Sequence, residues 1–135
     1  MGAIPGSIVA NRTTVAPNLD GILNDACWRE TAAIHDFSNV LRQGPPGEAM
    51  TAHLCFDDLN LYLAFVCGEP EPGKIRAASR DGADDVWTDD CVEVWIRTTG
   101  VVGDHDQFIV NTEGSRQTER IRGGTQAIVG TPIWN

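Results

Sequence analysis

Met50 to Cys67 reads MTAHLCFDDLNLYLAFVC, two apolar runs joined by an Asp/Asn-rich tetrad. Asp and Asn supply turn chemistry between runs that alternate, so the stretch predicts a β-hairpin turning at Asp57-Asp58-Leu59-Asn60. Pairing Phe56 with Leu61 sets Leu54 opposite Leu63 and Ala52 opposite Phe65, and these residues make the expected core face. His53 and Tyr62 fall on the other face. The same register sets Cys55 opposite Tyr62 and away from Cys67. The four cysteines, Cys27, Cys55, Cys67 and Cys91, show no CxxC and no His at ligand spacing. They read as buried or half-buried small residues, neither a zinc site nor disulfides.

Working outward, Cys91 to Arg97 (CVEVWIR) alternates as well. Val92, Val94 and Ile96 form its natural core face, and Cys91, Glu93, Trp95 and Arg97 point the other way. Gln107 to Asn111 (QFIVN) continues the pattern, with Phe108 and Val110 expected inward and Gln107, Ile109 and Asn111 outward. If the two strands share a sheet, Glu93, Trp95, Gln107 and Asn111 share one surface. Weaker strands are expected at Gln117–Ile121 and Gln126–Val129. One short helix is expected at Asn24–Ala33, capped by Asn24 or Asp25 and anchored by Trp28. Short alternating runs between Gly, Pro, Asp and Asn clusters define an all-β fold, an antiparallel β-sandwich with one short helix near the N-terminus. The 135 residues suit a single domain over 1–135. The chain stops at Pro132-Ile133-Trp134-Asn135 without a terminating turn, which reads as an incomplete C-terminus.

The formal net charge of −9 weighs against nucleic acid and anionic membrane surfaces as partners and against acidic polysaccharides. A neutral sugar meets no such cost. No apolar run approaches the ~20 residues of a membrane span, and the first ten residues carry no secretory signal pattern.

DGILNDACW (Asp20–Trp28), FDDLNLYLAF (Phe56–Phe65), RDGADDVWTDDCVEVWI (Arg80–Ile96) and DQFIVNTEG (Asp106–Gly114), in that order, resemble family 9 carbohydrate-binding modules and their DOMON-like relatives. The likeness covers about Leu19 to Ile121. It implies a sandwich of two antiparallel sheets and a sugar site in which two tryptophans clamp a pyranose. Trp87 matches the first clamp tryptophan, Glu93 the acidic hydroxyl partner and Asn111 an amide partner. Ile109 stands where sugar-binding members carry a basic residue, and the second clamp tryptophan belongs to a later segment. The resemblance further implies structural calcium, a location outside the cell or in the envelope, and fusion to a glycoside hydrolase or envelope protein.

The residues thus singled out for carbohydrate binding are Trp87, Glu93, Asn111, Trp95 and Gln107. Each also has a plain structural role open to it. Trp87, set between Asp84-Asp85 and Asp89-Asp90, either stacks on a sugar or anchors its loop. Glu93 either accepts hydroxyls or is neutralised by Arg97 or Arg80. Trp95 floors the site or packs under a loop, and Asn111 bonds ligand or caps the following turn. Asp57-Asp58-Leu59-Asn60 and Asp104-His105-Asp106 invite a calcium reading, although neither has EF-hand spacing. Met50 and His53 are weak axial candidates for a haem-binding DOMON-like role. The function expected is non-catalytic binding of neutral mono- or oligosaccharide ends. The alternative is a structural or interaction module of the same fold without sugar binding. Glycoside hydrolysis is disfavoured, since no second carboxylate on a rigid element opposes Glu93.

Overall fold

The computed structural model describes residues 7–38, 48–97, 99–122 and 125–128. They are mostly strand with little helix, arranged as two small sheets in two compact units, Met1–Pro70 and Glu71–Asn135. No helix among them is long and apolar enough to cross a membrane.

The first unit holds β1 (Asn11–Arg12), α1 (Ala26–Glu30), β2 (Met50–Phe56) and β3 (Leu61–Cys67), with strand order β1-β2-β3. The β2–β3 hairpin has the expected register, from Met50 opposite Cys67 to Phe56 opposite Leu61. Asp57 makes the turn: its Oδ1 accepts the N–H groups of Leu59 and Asn60, each at 2.7 Å. Its Oδ2 accepts the Tyr62 hydroxyl at 2.7 Å. The wholly antiparallel expectation is corrected at one edge, because the two-residue β1 pairs parallel to β2.

The helix is shorter than Asn24–Ala33. Asp25 is its N-cap residue, though its side chain makes no capping bond, and at Thr31 the backbone turns extended. There the Thr31 hydroxyl donates to the Trp28 carbonyl at 3.1 Å and closes the last turn. The helix buries Cys27 and Trp28 against Cys55, with Leu23, Tyr62 and Ala64 around them. The expected core face is partly as predicted, with Ala52 buried and Leu54, Leu63 and Phe65 half-buried, but it is not the only packed face. The face bearing Cys55, Tyr62 and Ala64 holds the packed cluster, because α1 lies on it, while Phe56 and Leu61 on the opposite face are exposed. All four cysteines are free thiols, and Cys67 is exposed, at the end of its strand. Burial pushes the Cys55 thiol up to about 12.

The second unit is the sheet β4-β5-β6-β7, comprising Cys91–Ile96, His105–Asn111, Arg116–Arg122 and Thr125–Ile128, all antiparallel. Val92, Val94, Ile96, Phe108 and Val110 share a half-buried apolar face, as their alternation predicts. The expectation for the opposite face is corrected. Gln107, Ile109 and Asn111 are buried, and Ile109 is fully so. The 3₁₀ turn Val86–Thr88, whose Val86 is also fully buried, lies over β4, β5 and β6 on the way from Glu71 to Cys91. A sheet face is solvated only where nothing is folded back onto it, and here the preceding loop covers its middle.

Candidate functional site

Asp89 ties the covering loop down. Its Oδ2 accepts the Ser79 backbone N–H at 2.8 Å and the Asn111 side-chain amide at 3.0 Å. The Arg76 guanidinium lies 3.3 Å from its Oδ1. The Ser79 N–H foremost holds the Asp89 carboxyl well below the usual carboxylate range. Ser115 adds a bond to the Ser79 carbonyl at 2.8 Å, and Arg116 grips Asp81 through its backbone N–H and its guanidinium. Arg76 and Asp90 exchange backbone N–H bonds to a carbonyl and a carboxylate, at 2.9 and 2.7 Å, closing the base of the loop.

The consequence is a turn that buries one residue and presents the next. Val86 is sunk against the sheet, and the following residue, Trp87, is 59% exposed. Its backbone N–H reaches Gln117 Oε1 at 3.4 Å, and Gln117 Nε2 donates to Glu119 Oε1 at 2.7 Å. On the other side Gln107 Nε2 donates to Glu93 Oε2 at 2.7 Å. Trp87, Glu93, Gln107, Ile109 and Glu119 line a cleft of about 210 Å³. That is smaller than the ~300–1,000 Å³ of most small-molecule pockets.

Three of the five expected site residues therefore come together: Trp87, Glu93 and Gln107. Asn111 does not line the cleft. Its amide group bonds Asp89, and its oxygen accepts the N–H groups of Glu113 and Ser115 at 3.1 and 2.8 Å, the turn-capping role. Trp95 lies outside the cleft on the same sheet face. It is 55% exposed, and its ring packs on His105 with centroids 4.6 Å apart. Neither Arg97 nor Arg80 neutralises Glu93, which forms no ion pair among the described residues.

Two lining residues are additions. Ile109, expected outward and at the position where the resemblance implies a cation, is buried opposite Glu93 and supplies an apolar wall of the cleft. Glu119 went unnoticed, yet the hairpin through Thr112-Glu113-Gly114 sets it directly opposite Gln107. Extending period-two pairing across that turn was the available signal.

The two stretches with a calcium reading are occupied by other bonds. Asp57 binds its own turn, and Asp106 is paired to Arg120 at 2.8 Å and Arg122 at 2.9 Å. No group of three or more His, Cys, Asp or Glu side chains among the described residues is arranged to hold a metal ion. His53 Nδ1 lies 3.3 Å from the Thr31 hydroxyl. Chemically the cleft offers carboxylate acceptors, one amide, an aliphatic wall and an aromatic face; its lining includes no cation and no hydroxyl, thiol or imidazole nucleophile. Comparisons with protein-family models, curated proteins and solved structures find no match to this chain.

Proposed function

We propose that the chain is a non-catalytic carbohydrate-binding module of the family 9 kind, taking a neutral sugar ring or chain end in the cleft beside Trp87. The observation that carries this is an exposed indole held over a cleft that also presents Glu93 and Gln107, already hydrogen-bonded to each other. A pyranose has an apolar C–H face and a rim of hydroxyls. Trp87 and Ile109 suit the face; Glu93 and the Gln107 carbonyl, as acceptors, suit the rim. Glu93 and Glu119 make the cleft hostile to uronic acids and other anions. The sandwich arrangement belongs to the same proposal, supported by the half-buried apolar face of the second sheet.

Isothermal titration of the full chain with glucose, cellobiose and xylobiose tests it. Millimolar-to-micromolar binding is expected for at least one, with Trp87→Ala costing roughly tenfold as the stacking face is lost. Glu93→Gln, which replaces a charged acceptor by a neutral one, should cost about the same. No heat and no tryptophan quenching with any of the three sugars would sink the proposal and leave the interaction-module alternative.

Glu119 gives a second reading a foothold, because a carboxylate on a strand does after all accompany Glu93 in the cleft. Glycoside hydrolysis by a carboxylate pair would show as reducing-sugar release from cellobiose that Glu93→Gln and Glu119→Gln each abolish. Binding ranks above hydrolysis because Gln107 and Gln117 already occupy one oxygen of each carboxylate.

A further inference from the structure

The packed cluster of the first unit has three buried members, and two of them are cysteines. Cys27 belongs to α1 and Cys55 to β2, and with Trp28 they meet where the helix lies on the sheet. Cys55 is completely buried, and a side-chain hydrogen bond joins the two thiols. The third cysteine of this unit is not a rival partner. Cys67 is exposed, outside the cluster, and opposite Met50, which stands five residues along β2 from Cys55. That separation is roughly 17 Å, whereas a disulfide needs Cα atoms within about 7 Å. Alanine or valine would fill the two buried positions as well as a thiol does; what adjacent cysteines add is the capacity to bond. α1 also lacks other fastenings, being five residues long with no capping bond from Asp25.

We propose that Cys27 and Cys55 form an intramolecular disulfide that fastens α1 to β2 when the chain folds in an oxidising compartment. The form with four free thiols is then the reduced one. This stands apart from the sugar reading. The oxidant is a disulfide, of a small molecule such as oxidised glutathione or of an oxidoreductase. One cysteine attacks it as the thiolate and forms a mixed disulfide, and the second cysteine displaces the oxidant's remaining sulfur. One S–S bond is broken and one is made; the two protons and two electrons of the cysteines leave on the reduced oxidant. Burial sets the order of events. With the Cys55 thiol pushed up to about 12, the folded reduced chain holds almost no thiolate there, and neither sulfur is open to an oxidant. The bond therefore forms before α1 docks, and once inside the cluster it is out of reach of external thiols. It closes a loop of roughly 28 residues, which removes freedom chiefly from the unfolded chain.

The full chain with Cys67→Ser and Cys91→Ser, which keeps only these two thiols, tests it. After refolding from guanidinium in a buffer of reduced and oxidised glutathione, it should show no thiol to Ellman titration in denaturant and weigh about 2 Da less than the reduced chain. Peptide mapping of the unaltered chain refolded in the same way should join Cys27 to Cys55. The oxidised chain should melt about 10 °C above the same chain in dithiothreitol. Adding Cys27→Ala should abolish that difference, a readout that packing alone would not move. Two thiols still titratable, or each capped by glutathione, would overturn the proposal. So would a bond between any other pair in the unaltered chain. An oxidised chain that melts at or below the reduced one would overturn it as well, because the bond would then distort the cluster it is meant to hold.

Discussion

Trp28 shows how much one side chain carries in the first unit. It is 5% exposed and sits with Cys27 and Cys55 in the packed cluster under α1. α1 is five residues long, too short to persist alone, so it exists because that ring is buried. Trp28→Ala should therefore cost about 3–5 kcal/mol, read as a drop in the urea midpoint, and should lose α1 with the cluster. A loss below about 1 kcal/mol would mean that the cluster does not hold the unit together. Trp87 is the opposite case, a tryptophan whose exposure makes its expected effect appear in the proposed sugar affinity and not in unfolding. The sequence separates these classes by context: Trp28 lies within the short run expected as helix, whereas Trp87 is flanked on each side by acidic pairs.

At the scale of elements, the segment from Arg76 to Asp90 shapes the site, and Asp89 is its chief fastening. The loop has few apolar side chains of its own to bury apart from Val86, so its hold on the sheet depends on hydrogen bonds converging on one carboxylate. Asp89→Ala would leave the Ser79 N–H and the Asn111 amide without their acceptor, a cost of about 1–3 kcal/mol. It should also open the loop to proteolysis after Arg76 or Arg80 and weaken the proposed sugar binding by misplacing Trp87. Limited trypsin digestion checks this; cleavage no faster than in the unaltered chain would show that the loop is held some other way. What the sequence made legible follows the range of the interactions. The β2–β3 register comes from period-two alternation and turn chemistry close in sequence and is as expected, and the strands at Cys91 and Gln107 do share a sheet, with Glu93, Trp95, Gln107 and Asn111 on one face. The buried face of each sheet depends on what folds back over it: α1 in one unit, the Arg76–Asp90 loop in the other. Neither is encoded in the strands they cover, so Gln107, Ile109 and Asn111 look outward by alternation and are buried all the same. Glu119 lies in a strand the sequence does announce, Gln117–Ile121, and only the register across the Thr112-Glu113-Gly114 turn sets it beside Gln107 at the cleft.

For the molecule as a whole, the acidic excess sets how stability responds to pH. Several carboxyls lie below their ordinary range, each for a local reason. The Tyr62 hydroxyl and the turn N–H groups hold Asp57 at about 2. The Arg116 side chain lowers Asp81, the Ser79 N–H lowers Asp89, and Arg120 with Arg122 lowers Asp106. The unfolded chain binds protons to these groups near pH 3.9 and the folded chain only further down. Their contribution is therefore complete above about pH 4 and is lost as pH falls through the folded values. The opposing effect of the −9 charge works at higher pH, where self-repulsion disfavours compactness and eases as the chain approaches its isoelectric point near 4.5. The thermal midpoint should accordingly hold level or rise slightly from pH 7 to about 5, then fall steeply between pH 4 and 2. Asp106→Asn, which removes the acceptor of two arginines at a partly buried position, should lower the midpoint at pH 7 and flatten the acid limb. Circular dichroism melts at half-unit pH steps measure both. A midpoint that keeps rising below pH 4 would mean that relief of repulsion outweighs these carboxylates, and that their hydrogen bonds and ion pairs add little to holding the fold.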